Sequence, residues 1–164
     1  MKGRRLTPRG AKLARVGQLC GKTNQFNPMT RRYDEATIRG FAEREDVLVR
    51  GFSLADRFGD HGLVSAVIGL IEGDALRIDE WVMSCRVFSR TAEQFIMNRL
   101  LDEARARGLA RIVGEYRATE KNGVVAALYP GLGFAPTGEN RWTLELAAET
   151  ARETFITCRG GGQK

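Results

Sequence analysis

Residues 75–118 read ALRIDEWVMSCRVFSRTAEQFIMNRLLDEARARGLARIVGEYRA, and the succession of patterns within them decides the fold. ALRIDEWVM (75–83) has the composition of a strand and follows a tight EGD turn. From position 91 onward, Ala92, Phe95, Ile96, Leu100 and Ala104 recur at helical spacing, which predicts one long helix over 91–108. Thr91 and Gln94 fit a capping box at its start, and Gly108 fits the residue just past its end. ARIVGEYRA (110–118) then returns as a strand.

Working outward, VLVRGFSL (47–54) is β-branched and aromatic, DRFGDHG (56–62) is turn-rich, and LVSAVIGLI (63–71) is a nearly continuous apolar run. Such a run suits a strand buried on both faces. With 75–83 these strands predict an antiparallel meander. Upstream, Leu13, Val16, Leu19 and Cys20 share one face of a helix over 11–23. Asp34 can cap a second helix over 34–45, whose apolar stripe is Ile38, Phe41 and Ala42. Downstream, NGVVAALYPGLGF (122–134) reads as a short helix stopped by Pro130 and Gly131, and RWTLELA (141–147) as a last strand. Antiparallel strands followed by β-α-β-α-β predict a mixed α/β sandwich around one sheet. The expected divisions are a flexible basic arm (1–11), one domain (12–147) and a loose tail (148–164).

The 164 residues suit a single domain, and the 43% hydrophobic content is enough for a core. Three cysteines at no ligand-like spacing and one histidine, His61, argue against a disulfide framework, a zinc site and a Ser-His-Asp triad; no metal is expected. No apolar run is long enough to span a membrane and the N-terminus has no signal-peptide pattern, so a soluble, cytoplasmic protein is expected. The net charge of +6 is unevenly placed. Residues 1–32 hold nine of the 26 basic residues and none of the 20 acidic ones, so the remaining 17 basic groups leave the body mildly acidic. A basic front end favours a polyanionic partner: an acidic protein, a phosphate-bearing cofactor or RNA.

NGVVAALYPGLGF resembles the Asn, helix, Tyr, Leu-Gly-Phe signature of the GCN5-related N-acetyltransferase (GNAT) fold, and RVFSRT lies where those enzymes carry an Arg/Gln-x-x-Gly-x-Gly/Ala loop. KTNQFNPMTRRY (22–33), DRFGDHG (56–62), IDEWVMSCRVFSR (78–90) and GEYRATEKN (114–122) together resemble the C-terminal domain of FkbH-like proteins, which join a phosphatase-like (HAD) domain to a GNAT-like one. The resemblance covers roughly residues 12–146. It implies a GNAT-like fold with a mixed, mostly antiparallel sheet, and acyl transfer in a biosynthetic pathway of secondary-metabolite type. Members of that family load a glyceryl unit from a phosphorylated glycolytic intermediate onto an acyl carrier protein. This chain departs from the pattern in three ways. These 164 residues are not expected to include a phosphatase-like domain, they carry Ser89 and Thr91 where the family has glycines, and they have His61 where DRFGD is usually followed by Asn.

These readings nominate the site. Arg86, Val87, Phe88, Ser89, Arg90 and Thr91, at a helix N-terminus, are the donor-binding loop for acyl-CoA or the phosphopantetheinyl thioester of a carrier protein. Cys85 is a candidate covalent acyl carrier, because a neighbouring Arg86 and a nearby helix N-terminus favour a thiolate. Glu115 is a candidate general base, and the resemblance implies that it and Tyr116 lie on the acceptor side of the sheet. Asn122 and Tyr129 lie seven apart, two turns of one helix; the resemblance implies that the first contacts the pantetheine arm and the second protonates the departing thiolate. Asn24, Gln25, Asn27, Thr30 and Arg31, five polar groups within eight residues, are expected to line either solvent or a polar substrate pocket, and the resemblance favours the pocket. Asp56, Asp60 and His61 are expected to form a turn braced by Asp79, and no metal is assigned there. The leading expectation is an acyltransferase acting on a hydroxyl, amine or thiol of a small-molecule acceptor. The alternatives are an aminoacyl-tRNA-dependent transferase and a non-catalytic carrier-protein docking module that works with a separate HAD-type partner.

Overall fold

The computed structural model describes residues 1–87, 90–148 and 152–158. Its strands are β1 (Lys2–Leu6), β2 (Val47–Asp56), β3 (Gly59–Glu72), β4 (Ala75–Met83), β5 (Arg111–Glu115), β6 (Ala135–Gly138), β7 (Arg141–Glu145) and β8 (Thr157–Cys158). They form one mixed sheet in the order β6-β7-β5-β4-β3-β2-β1-β8. The expected meander is present, since β2 pairs antiparallel with β3 and β3 with β4. The β4–β5 and β1–β8 pairs are parallel.

Helices α1 (Ala11–Lys22) and α2 (Glu35–Ala42) lie on one face; α3 (Ala92–Ala106) and the short α4 (Leu128–Gly131) lie on the other. The continuous apolar run of β3 reflects this two-sided cover. Ala66 and Ile68 join Leu13, Val16, Leu19, Cys20 and Ile38 beneath α1 and α2, whereas Val64 and Val67 join Phe95, Ile96 and Leu100 beneath α3. Asp34 caps α2 as its position predicts, accepting a hydrogen bond from the Thr37 amide at 2.8 Å. Among the described residues no helix is long and apolar enough to cross a membrane.

Several local expectations are corrected. Lys2–Leu6, read as part of a flexible arm, are a strand along β2. No apolar alternation marks this strand. It is held by the free edge of β2 and by Gly3, where a Cβ would stand 2.6 Å from the Phe95 ring. Part of the segment read as a loose tail is likewise ordered: Ile156 is buried and Thr157–Cys158 pair with β1. Thr91 does not cap α3. It is left-handed (φ 57°), and its hydroxyl faces Thr154 at 2.7 Å. The helix expected over 122–134 is divided into a 3-10 turn (Gly123–Val125) and α4, so Asn122 and Tyr129 are not on one helical face. Strand β6 had no counterpart in the sequence reading.

Glu103 of α3 ties this architecture together. Arg5 of β1 reaches it at 2.9 Å, Arg50 of β2 holds both of its oxygens, and Arg107 approaches at 3.6 Å. Burial pushes the Glu103 carboxyl up, but the Arg50 hydrogen bonds and the charges of Arg50, Arg5 and Arg107 outweigh burial and hold it below its ordinary value. A carboxyl lowered in this way stabilises the fold above the ordinary carboxylate range, near 4.3, and loses that contribution as pH falls through its folded value. Glu103→Gln should cost about 3 kcal/mol, the low end for breaking a buried pair because Arg5 and Arg107 are partly open to solvent. Urea unfolding at pH 7 measures that loss, and the same titration near pH 3 should show a smaller gap between variant and wild type.

Candidate active site

The site is built where two parallel neighbours part. β4 and β5 pair from Ala75 with Arg111 to Ile78 with Gly114 and no further. β4 runs on to Met83, while the chain after Glu115 turns away. The gap is bridged by Phe26–Pro28 from the loop between α1 and α2. The Met83 amide donates to the Phe26 carbonyl at 3.3 Å, and the Arg117 amide donates to the Pro28 carbonyl at 2.8 Å. Phe26 is buried edge-on against Trp81, with ring centroids 5.4 Å apart.

Asn27 and Asn122 hold this bridge. Asn27 is fully buried; its side chain donates to the Thr23 carbonyl and accepts from the Thr30 amide. Asn122, also fully buried, donates to the carbonyls of Asn27 (3.0 Å) and Arg117 (2.8 Å) and accepts from the Thr119 amide (2.7 Å) and the Tyr116 hydroxyl (3.2 Å). Expected to touch the donor, Asn122 instead has both ends of its amide occupied within the protein. Tyr116 is engaged with it.

A β-bulge in β4 supplies the acids. Ile68 faces Glu80 and Gly69 faces Ile78, so Asp79 is the extra residue. Asp79 and Glu80 consequently both meet the 31–33 segment. Asp79 accepts from the Tyr33 hydroxyl at 2.5 Å, binds Arg77 at 3.0 Å and lies 3.4 Å from Arg31. It does not brace the hairpin turn; there Asp56 bonds His61 at 2.9 Å and the Phe58 amide, and Asp60 accepts from the Gly62 amide. Glu80 is only 1% exposed, and one of its oxygens accepts from the amides of Arg31 (2.8 Å) and Arg32 (3.3 Å). The loop presents these amides with Thr30 and Arg32 in left-handed backbone (φ 54° at both), a strained geometry for such residues. Burial pushes the Glu80 carboxyl up to about 7 against the pull of the two amides. Its other oxygen, Oε1, has no hydrogen-bond partner.

Tyr129 of α4 is another buried polar group without a partner: it is 1% exposed and its Oη bonds nothing. Burial first, then the charges of Glu80 and Glu115, push its pKa upward, so it stays protonated. Its ring lies against Gly114, where a Cβ would come within 2.3 Å of it, and stacks with Trp142. Glu115, the nominated base, is half-buried and 3.5 Å from Arg77. The carboxyl poised near neutrality is thus Glu80, which the sequence reading passed over. The available signal was an acid at an inward position among Ile78, Trp81 and Val82.

Two hollows flank Phe26. On the α1 side a cleft of about 800 Å³ is lined by Asn24, Gln25, Ser84 and the exposed Cys85. On the other side a channel of about 300 Å³ runs between the start of α3 and α4, past Gln94, Val125 and Leu128. Gln94 Oε1 is buried there without a partner. Of the nominated pocket residues, Asn24 and Gln25 reach the cleft, Asn27 is buried in the bridge, and Thr30 and Arg31 serve the loop and Asp79. Of the nominated donor loop, Phe88 and Ser89 lie outside the described residues. Val87 is buried, Arg86 contacts Ser84, Arg90 lies 3.4 Å from Asp56, and the Thr91 hydroxyl accepts from the Phe155 amide at 3.0 Å.

No protein-family model matches the chain, and no curated protein sequence does. Solved structures do. Over 89% of this chain and 96% of the other, it superposes on the spermidine N-acetyltransferase of Vibrio cholerae in complex with CoA and spermine (TM-score 0.69, 12% identity). Ard1 of Thermoplasma volcanium matches over 87% and 95% (TM-score 0.66, 16% identity). The ribosomal-protein-S18-alanine N-acetyltransferase of Escherichia coli matches over 93% and 99% (TM-score 0.62, 16% identity). The chain therefore has the GNAT N-acetyltransferase fold.

Because Asn122 joins Asn27 to the chain after β5, Asn122→Ala strands buried groups on both sides. It should destabilise by about 3 kcal/mol. Hydrogen exchange should quicken in residues 23–33 while the α3 amides keep their protection.

Proposed function

We propose that the protein is an acyltransferase that moves an acyl group from a pantetheine thioester to a hydroxyl, amine or thiol of a small acceptor. The observation that carries this reading is the pair of buried oxygens without partners, Glu80 Oε1 and Tyr129 Oη, beside the parting of β4 and β5. A buried polar atom without a partner is rare and invites a ligand. A carboxyl near 7 can take a proton at neutral pH, and a phenol held protonated can give one. In the reaction the acceptor X–H attacks the thioester carbonyl, its proton passes to Glu80, the C–S bond breaks, and Tyr129 protonates the departing thiolate. Proton exchange with solvent restores both groups.

The channel between α3 and α4 is lined largely by apolar residues, which suits a pantetheine arm, and Gln94 Oε1 can accept from an amide N–H of such an arm. The hydroxyl of Thr91, at the entrance to α3, is already engaged by the 154–155 segment, which leaves less there for a diphosphate. That favours a donor held by its arm, as on a carrier protein, over one gripped by its nucleotide. The resemblance to FkbH-like domains supports the same donor and a biosynthetic pathway. Glu80→Gln should lower kcat at least 100-fold and remove the rise of rate with pH through about 7. Ionising a buried acid of raised pKa costs the folded state above its unfolded value, so the variant should melt no lower than wild type at pH 8. Near-wild-type thiol release by Glu80→Gln with both acyl-CoA and acyl-carrier donors would refute this assignment.

Covalent relay through Cys85 is a second reading, supported by the exposure of this thiol on the cleft wall. It predicts an acyl adduct in intact-mass spectra that is absent from Cys85→Ala. Transfer at an undiminished rate by that variant would leave only direct transfer.

A further inference from the structure

We infer that the cleft beside Cys85 binds its ligand through an anionic group, a carboxylate or a phosphate monoester. Among the described residues, the cations lining the cleft have no ion-pair partner. Many guanidinium groups elsewhere meet acids: Arg5, Arg50 and Arg107 meet Glu103, Arg31 and Arg77 meet Asp79, and Arg111 meets Asp74 and Glu145. In the cleft the cations outnumber the acids. Arg15, Lys22 and Lys121 line it against a single acid, Glu120. Among the described residues Arg15 bonds the neutral Gln18, at 3.2 Å, and neither it nor either lysine has an ion-pair partner. The cleft therefore carries an excess of about two positive charges in a concave space, which concentrates the field.

Its other polar lining also suits an anion. Thr23, Asn24, Gln25 and Ser84 bring hydroxyl and amide donors to the same wall. A volume of about 800 Å³ lies within the range of small-molecule sites. Nucleic acid fits less well, because the basic front end does not form one track. Lys2 and Arg4 stand on β1, separated from β4 by β2 and β3, so about 14 Å of sheet lies between them and the cleft at the usual strand spacing. Arg5 and Arg31 are paired with acids. Arg15 and Lys22 face the cleft, which gives part of the acid-free start of the sequence a specific task. If the acyl-transfer reading holds, the anionic ligand is the acceptor. The binding inference itself does not need that reading, because it is tested without a donor.

Cys85 provides the readout, since it lines the cleft and is exposed, whereas the exposed Cys158 on β8 reports on bulk reactivity. Maleimide labelling is followed by peptide mass spectrometry in the presence of phenyl phosphate, benzoate or the neutral benzyl alcohol. Either or both anions should slow labelling of Cys85 but not of Cys158, and the arm that protects identifies the anionic group. Benzyl alcohol should protect neither. In the Lys22→Ala/Lys121→Ala double variant, whose replaced residues are exposed, the protective concentration should rise at least tenfold. Equal protection by benzyl alcohol, no protection by either anion, or unchanged protection in the double variant overturns the inference. So does protection by bulk tRNA with a steep salt dependence where the small anions fail.

Discussion

Met83 and Arg117 lie beyond the last β4–β5 pair, so their amides find no partner across that seam, and backbone groups there must find partners elsewhere. Phe26–Pro28 supplies them, and much of the site depends on that substitution. To lie in the gap, the loop between α1 and α2 is fixed by Asn27 from within and by Asn122 from the far side. Once fixed, it turns through two left-handed residues and aims the amides of Arg31 and Arg32 at Glu80. The same bridge sets Phe26 between the cleft and the channel. The packing of one short segment thus joins the sheet, the buried acid and both hollows.

Two buried glutamates show how environment separates structural from chemical roles. Glu103 faces three guanidinium groups, and these outweigh burial and keep it ionised. Glu80 has comparable or deeper burial but meets two backbone amides and a neighbouring acid, so desolvation wins and its proton is held near neutrality. The first arrangement joins β1, β2 and α3. The second leaves an oxygen free, which a structural carboxylate rarely has.

Much of the fold was legible because it rests on local periodicity. The apolar spacing of α3, the two-sided run of β3 and the Asp34 cap each mark their own element. β1 was not legible, since KGRRL shows no alternation and its pairing depends on the open edge of β2, nearly fifty residues away. Thr91 misled because a hydroxyl before a helix usually caps it, whereas here the 152–156 segment takes that hydroxyl. Asn122 and Tyr129 misled because heptad spacing puts residues on one face only if the helix is unbroken, and here it breaks before α4.

The sequence by itself determined the order of the central elements from α1 to β5, the two-faced core and the uneven placement of charge, because these follow from side-chain chemistry at short range. Only the tertiary structure decided which acid is poised for proton transfer and where the basic front end points. The partners that hold Glu80 come from residues 49 and 48 positions away. A proton affinity set by desolvation exists only once the chain has closed around the group.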